Sequence, residues 1–194
     1  ILIATYGDMI RVPGKGGSLE TKATAKNIKV VLSAQDALEI ARQNPHKQVV
    51  FIAVGFETTT PTSAVVVKEA YEQKIENFTI FSNHKLVVPA MRALLAEKND
   101  KIDAFLCPGH VSAIAGFGIF EEIVSDFKRP CVVAGFEPQQ IIEALAIIAQ
   151  QVADSKPELK SVYKAVVTRE GNATAQKIVR QCFEPADGYW RGLG

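Results

Sequence analysis

The stretch Val49-Val50-Phe51-Ile52-Ala53-Val54-Gly55-Phe56-Glu57-Thr58-Thr59-Thr60-Pro61 decides how the chain is read. Six apolar residues run together without polar alternation, as a strand buried on both faces of a parallel sheet requires. Gly55 then permits a sharp exit. Thr60-Pro61 reads as an N-cap followed by a proline at the first helical position. The stretch is a strand–turn–helix unit.

The same grammar recurs on either side. Ile1–Thr5, Ile28–Leu32, Phe78–Phe81, Ile102–Leu106 and Cys131–Ala134 are further short apolar runs. Helical spacing is expected over Ala34–Gln43, Thr62–Gln73, Val87–Glu97, Ser112–Asp126, Gln139–Ala153 and about Asn172–Cys182. Ser155-Lys156-Pro157 marks a break, and Ser161–Thr168 is ambiguous between helix and strand. Alternating strands and helices predict an α/β fold with a doubly wound, mostly parallel sheet. Helices on both faces make it Rossmann-like, a three-layer α/β/α arrangement.

Composition narrows the classes. The chain has 194 residues, 47% of them hydrophobic, with 22 basic against 21 acidic side chains. Near-balance excludes a dominant nucleic-acid or membrane-surface field, and no apolar run approaches the ~20 residues of a membrane span. Cys107, Cys131 and Cys182 are too few and too scattered for a disulfide framework, so a cytoplasmic setting is expected. Ile1 is not Met, and Trp190-Arg191-Gly192-Leu193-Gly194 ends without a closing element. The chain is therefore expected to be an interior piece of a longer protein.

Parallel sheets bind ligands beyond the carboxyl ends of their strands. Here those positions hold Tyr6 to Gly14, Gly55 to Pro61, Ser82 to Lys85, Cys107-Pro108-Gly109-His110 and Gly135-Phe136-Glu137-Pro138. Glu57, His84, His110 and Glu137 therefore converge on one sheet edge as the candidate catalytic residues. His46 lies on the opposite edge and is expected at the surface. Turn chemistry alone explains the glycines and prolines, but not four titratable residues on one edge. No GxGxxG follows a strand, and Gly14-Lys15-Gly16-Gly17-Ser18 lacks phosphate-loop order; it reads as a mobile glycine-rich connector. Cys107-x-x-His110 is weak as a metal or nucleophile motif.

Taken in order, these segments resemble the HypD family of hydrogenase maturation proteins. The carriers are Tyr6-Gly7-Asp8-Met9-Ile10-Arg11-Val12-Pro13-Gly14, Gly55 to Pro61, Ser82-Asn83-His84-Lys85, Pro108-Gly109-His110-Val111-Ser112, Gly135 to Pro138 and Trp190 to Gly194. The resemblance implies a scaffold that holds iron while cyanide and carbon monoxide are attached. It also implies a HypC-type chaperone and a HypE-type cyanide donor as partners, and a [4Fe-4S] cluster in the intact protein. On that picture residues 1–43 complete part of a first α/β domain, 44–155 form a second, and 156–194 return toward the first. The family's iron-handling and cluster-binding cysteines lie outside the matched segments, so no metal ligand or cofactor is expected within this chain.

The residues then acquire expected roles. Asp8 and Arg11 pair with each other or orient a thiol elsewhere. His84 and His110 donate to cyanide-like ligands or relay protons, with Glu57 and Glu137 accepting from them. Thr58 and Thr59 offer hydroxyls, and the helix at Pro61 aims N–H groups at an anion. Pro108, Gly109, Gly135 and Phe136 complete the ligand-binding set. Two other readings stay open: an independent metal-dependent hydrolase, and an anion-binding module in the same strand-end cleft.

Overall fold

The computed structural model describes residues 1–22, 27–96 and 101–192. In chain order the strands are β1 Leu2–Tyr6, β2 Ile28–Val31, β3 Val49–Gly55, β4 Phe78–His84, β5 Phe105–Pro108, β6 Cys131–Ala134 and β7 Leu159–Ser161. The helices are α1 Leu19–Lys22, α2 Ala34–Gln43, α3 Thr60–Glu72, α4 Val87–Ala96, α5 Gly109–Ala115, α6 Glu121–Phe127, α7 Pro138–Ala153 and α8 Ala173–Cys182. Short 3-10 turns cover Gly7–Arg11 and Phe117–Phe120. Every strand pairing is parallel, and helices flank the strands, in the Rossmann-like manner expected. The described strands form two such sheets. Glu97, at the end of the expected fourth helix, and Leu193-Gly194 of the closing motif lie outside the described residues.

The chain divides into two units. One comprises Ile1–Gly55, Thr59–Lys85 and Ile178–Phe183. Its four-stranded sheet runs β2-β1-β3-β4. Leu2, Ala4, Val49, Phe51 and Ala53 on the strands pack with Ala34, Ala37, Leu38 and Ala41 of α2 and Val66 and Ala70 of α3. The expected domain change at residue 44 falls inside this unit, because β3 is hydrogen-bonded along β1. α2 keeps its sequence-read bounds because its start is doubly capped: Ser33 Oγ accepts from Asp36 N–H at 3.2 Å, and the Asp36 carboxylate accepts from Ser33 N–H at 2.9 Å. The Asn77 side-chain amide reaches the carbonyls of Ala41, Asn44 and Lys47 at 2.9, 3.0 and 3.0 Å, tying the end of α2 to the start of β4.

The other unit comprises Phe56–Thr58, Leu86–Lys177 and Glu184–Gly194. Its sheet runs β5-β6-β7. Cys107, Cys131 and Val133 face a cluster with Phe120, Ile123 and Met91, while Val132 and Ala134 face Ala144 of α7. The single helix expected over Ser112–Asp126 is broken. Gly116 takes φ 83°, ending α5, and the chain restarts through a 3-10 turn into α6. The ambiguous Ser161–Thr168 contributes only the last residue of β7.

Candidate functional site

In the first unit β3 and β4 end together, with Gly55 in register with His84. Lys85 N–H donates to the Gly55 carbonyl at 2.8 Å. Gly55 has φ 149°, and a Cβ there would collide with Thr59 Oγ1, so the turn needs glycine. α3 starts at Thr60, one residue earlier than the motif suggested; Thr59 takes the N-cap position and Pro61 sits second in the helix. The His84 ring is held on three sides. Nδ1 lies 3.0 Å from Ser82 Oγ, Nε2 lies 3.3 Å from Ser63 Oγ, and Phe183 meets the ring edge-on at 5.8 Å between centroids. Ser63 is fully buried. Burial pushes the His84 pKa below its ordinary value.

In the second unit Glu57 Oε1 accepts from Val87 N–H at 2.9 Å, capping the first turn of α4. Its other oxygen, Oε2, is buried and has no hydrogen-bond partner. Burial raises the Glu57 pKa; the hydrogen bonds from the Val87 and Glu57 backbones oppose that shift. Phe56 packs against Trp190, ring centroids 5.6 Å apart. The ends of β5 and β6 lie side by side, Pro108 registered with Ala134. Pro108 caps α5, and Ser112 Oγ donates to its carbonyl at 2.9 Å. His110 is exposed and stacks at a tilt on exposed Phe136, 4.7 Å between centroids. Glu137 is exposed at the N-cap of α7, which begins at Pro138 as the motif suggested. Thr58 is half-buried.

The pairing of histidines with glutamates is not the arrangement found: His84 bonds two serines and Glu57 bonds a helix N-terminus. Nor does Arg11 turn to Asp8. Its Nε lies 3.5 Å from Glu20, both side chains well exposed. Asp8 instead acts on Tyr6, adding to burial in raising the phenol's pKa. The Gly14–Ser18 connector closes on itself, Gly14 N–H donating to the Gly17 carbonyl at 3.0 Å. His46 is exposed, as expected. Ser63, Ser82 and Phe183 were not singled out in the sequence. For Ser82 the signal existed, since strand alternation puts residues two apart on one face. A cavity of about 410 Å³ on α3 and β4, lined by Tyr71, Phe78 and Ile80, is at the opposite end of β4 from His84.

Cys107 and Cys131 are buried neighbours on β5 and β6, and the Cys107 thiol is pushed up by its hydrogen bond with Cys131 and by burial. Cys182 belongs to the first unit, with its thiol directed at the Ala64 carbonyl at 3.4 Å. Among the described residues no group of three or more His, Cys, Asp or Glu is placed to hold a metal ion. Also among them, no helix is long and apolar enough to cross a membrane.

Comparison with known proteins now decides the family. The HypD sequence profile, described as the "Hydrogenase formation hypA family", matches residues 1–194. The chain belongs to the HypD family. It is 41% identical over 196 residues to "Hydrogenase maturation factor HypD" of Escherichia coli (strain K12), covering all of this chain and 52% of that protein. It is 44% identical over 204 residues to the protein of the same name from Rhizobium leguminosarum bv. viciae, covering all of this chain and 53% of that protein. The chain spans about half the length of the curated relatives it matches. In this HypD chain the motifs containing Tyr6, Gly55, His84, Pro108 and Gly135 lie at strand ends.

The depressed His84 pKa sets a pH dependence. A histidine that resists protonation when folded contributes stability above the unfolded pKa, about 6.5, and that stability is lost as pH falls toward the folded value. Stability should therefore decline below about pH 6.5. A His84→Asn chain should lose less between pH 7.5 and 5.5 than the parent, measured by urea midpoints at both pH values.

Proposed function

We propose that this chain forms the strand-end wall of a hydrogenase maturation scaffold. In the complete protein that wall borders the place where an iron atom, the cargo of the reaction, is held while cyanide and carbon monoxide are added. A HypC-type chaperone and a HypE-type cyanide donor are the proposed partners, and a [4Fe-4S] cluster is proposed for the portion of the polypeptide outside this chain. The observation that carries the reading is Glu57. Within a family motif, a carboxyl group with one oxygen fixed on the α4 backbone leaves the other buried without a partner. Burial raises its pKa, so the group is suited to hold and release a proton at Oε2. Such a group has little structural purpose beyond its cap, and removing its charge should not weaken the fold.

That separates chemistry from capping. With a folded pKa raised above the ordinary carboxylate value, the ionised form is disfavoured, so the group's contribution to stability is lost as pH rises through that value. Glu57→Gln retains an acceptor for Val87 N–H and removes the buried charge. In the full-length protein it should keep or slightly raise the melting temperature yet abolish maturation, read as hydrogenase activity in complemented cells. Glu57→Ala should lose maturation and also lower the melting temperature, because α4 loses its cap, a change of about 1 kcal/mol. Full maturation by Glu57→Gln would refute the proton role.

No observation favours the independent hydrolase. The anion-binding alternative has as its support the 13-residue helix α3 opening behind Gly55.

A further inference from the structure

Both nitrogens of the His84 ring are engaged. Ser63 Oγ lies 3.3 Å from Nε2 and Ser82 Oγ 3.0 Å from Nδ1, while Phe183 meets the ring edge-on. The two serines are not equivalent. Ser63, on α3, is fully buried, whereas Ser82, on the outer strand β4, is exposed. Burial disfavours the charged ring, which would donate to both hydroxyls. A neutral imidazole has one N–H and one lone pair, so one serine donates to it and the other accepts from it.

Which serine donates follows from what else its hydroxyl can reach. A helical serine ordinarily donates to the carbonyl four residues back, for Ser63 that of Thr59. That carbonyl already accepts from Thr62 Oγ1 at 2.8 Å and from Ser63 N–H at 3.4 Å. Among the described residues the Ser63 hydroxyl pairs with His84 Nε2 instead. Were the proton on Nε2, the Ser63 O–H would be buried without an acceptor, a costly arrangement. With the proton on Nδ1, Ser63 donates to the Nε2 lone pair and the ring donates to Ser82 Oγ. Both buried groups are then met. The Ser82 hydroxyl proton is directed away from the ring, from an exposed side chain near the carboxyl end of β4. Hydrogen bonds in series polarise one another, so this chain strengthens Ser82 as a donor.

We propose that Ser82, not the His84 ring, is the hydrogen-bond donor this strand end offers to a ligand, with Ser63 fixing the ring as its Nδ1–H tautomer. Ser63 acts through the ring and touches no ligand, so its role is positioning. The ligand that suits Ser82 presents a lone pair to a single donor. On the maturation reading, on which this identification rests, that is the nitrogen of an iron-bound cyanide.

The test uses the full-length polypeptide carrying isotope-labelled histidine, read by nitrogen NMR. His84→Gln identifies the ring's two nitrogen signals by their loss. At neutral pH the wild type should show a protonated Nδ1 and a bare Nε2; the reverse would overturn the proposal. Ser63→Ala removes the lock, and both tautomers should then be populated. A ring that stays wholly Nδ1–H in that variant would overturn the part given to Ser63. If Ser63→Ala does not fold, the wild-type spectrum decides. The second readout is hydrogenase activity in complemented cells. Ser82→Ala should lower it about tenfold and leave the melting temperature unchanged, because the lost hydroxyl is exposed. Ser82→Thr keeps a hydroxyl and should restore activity. Full activity of Ser82→Ala would overturn the donor role. A wild-type polypeptide that restores no activity would instead sink the maturation reading, and the ring tautomer, read on purified protein, would still decide this one.

Discussion

A Gly109→Ala chain is expected to lose about 3 kcal/mol of stability, a severe effect for one methyl group. Gly109 is buried at the first position of α5, immediately beyond β5. A Cβ there would collide with the Ala134 carbonyl oxygen and sit 2.7 Å from Tyr163 Cδ1. The tyrosine ring can turn aside. Ala134 cannot, because β6 is the central strand of its sheet, paired on one side with β5 and on the other with β7. The neighbours must therefore part, and α5 must lift from the sheet edge that carries the Pro108–His110 motif. Trp190 is the only tryptophan and belongs to the same unit, so its fluorescence during urea unfolding reads the loss directly. Gly7→Ala is the control. Its added methyl meets only Val30 Cγ1, at 3.3 Å, and should cost far less. A Gly109→Ala midpoint equal to the parent's would contradict the close approach.

Asn77→Asp should damage the first unit comparably. The amide of Asn77 donates toward three carbonyls that close α2 and the following turn. Aspartate keeps the shape and removes every donor. The three carbonyl oxygens then face a negative charge with no N–H between them. The bonds to Ala41 and Asn44 are part-buried and the one to Lys47 is exposed, so water meets part of the need and a loss of about 2 kcal/mol is expected. Asn77→Ala removes the donors without adding charge and should fall short of that. Acid supplies the decisive check. Once the carboxyl is protonated it can donate one hydrogen bond, so the deficit of Asn77→Asp should narrow as pH falls below the carboxylate range. A deficit independent of pH would point to lost packing instead.

Much of this was legible because the signals were local. α2 is announced by Ser33 and Asp36, which cap it reciprocally, and its observed bounds match those read from the sequence. β3 and β6 announced themselves as uninterrupted apolar runs, and in β6, buried on both faces, no polar alternation obscures the signal. Failures came where distant backbone decided the outcome. The helix expected over Ser112–Asp126 breaks because Gly116 lies against the Arg169–Gly171 backbone, more than fifty residues away. β7 is three residues long and exists only because β6 offers an edge. At the site, the order of the strands was read correctly, but β4 runs on to His84 rather than stopping at Phe81 and β5 to Pro108 rather than Leu106, and side-chain partners were not foreseen. His84 was expected to meet a carboxylate and instead meets Ser63 and Ser82, and Glu57 turned to the α4 backbone. Partner choice depends on rotamers and burial, which a linear motif does not encode.

Phe183, which closes one side of the His84 ring, is delivered at the far end of α8, after all of α4 to α7. On the ribosome, chains emerge and begin to fold from the amino end. The strands around His84 will leave the exit tunnel long before that aromatic cover exists. Throughout that interval one side of the imidazole stays open to water, so part of the burial that lowers its proton affinity is missing. The first unit is thus born with its histidine unsealed, and a stalled or truncated nascent chain would keep it so.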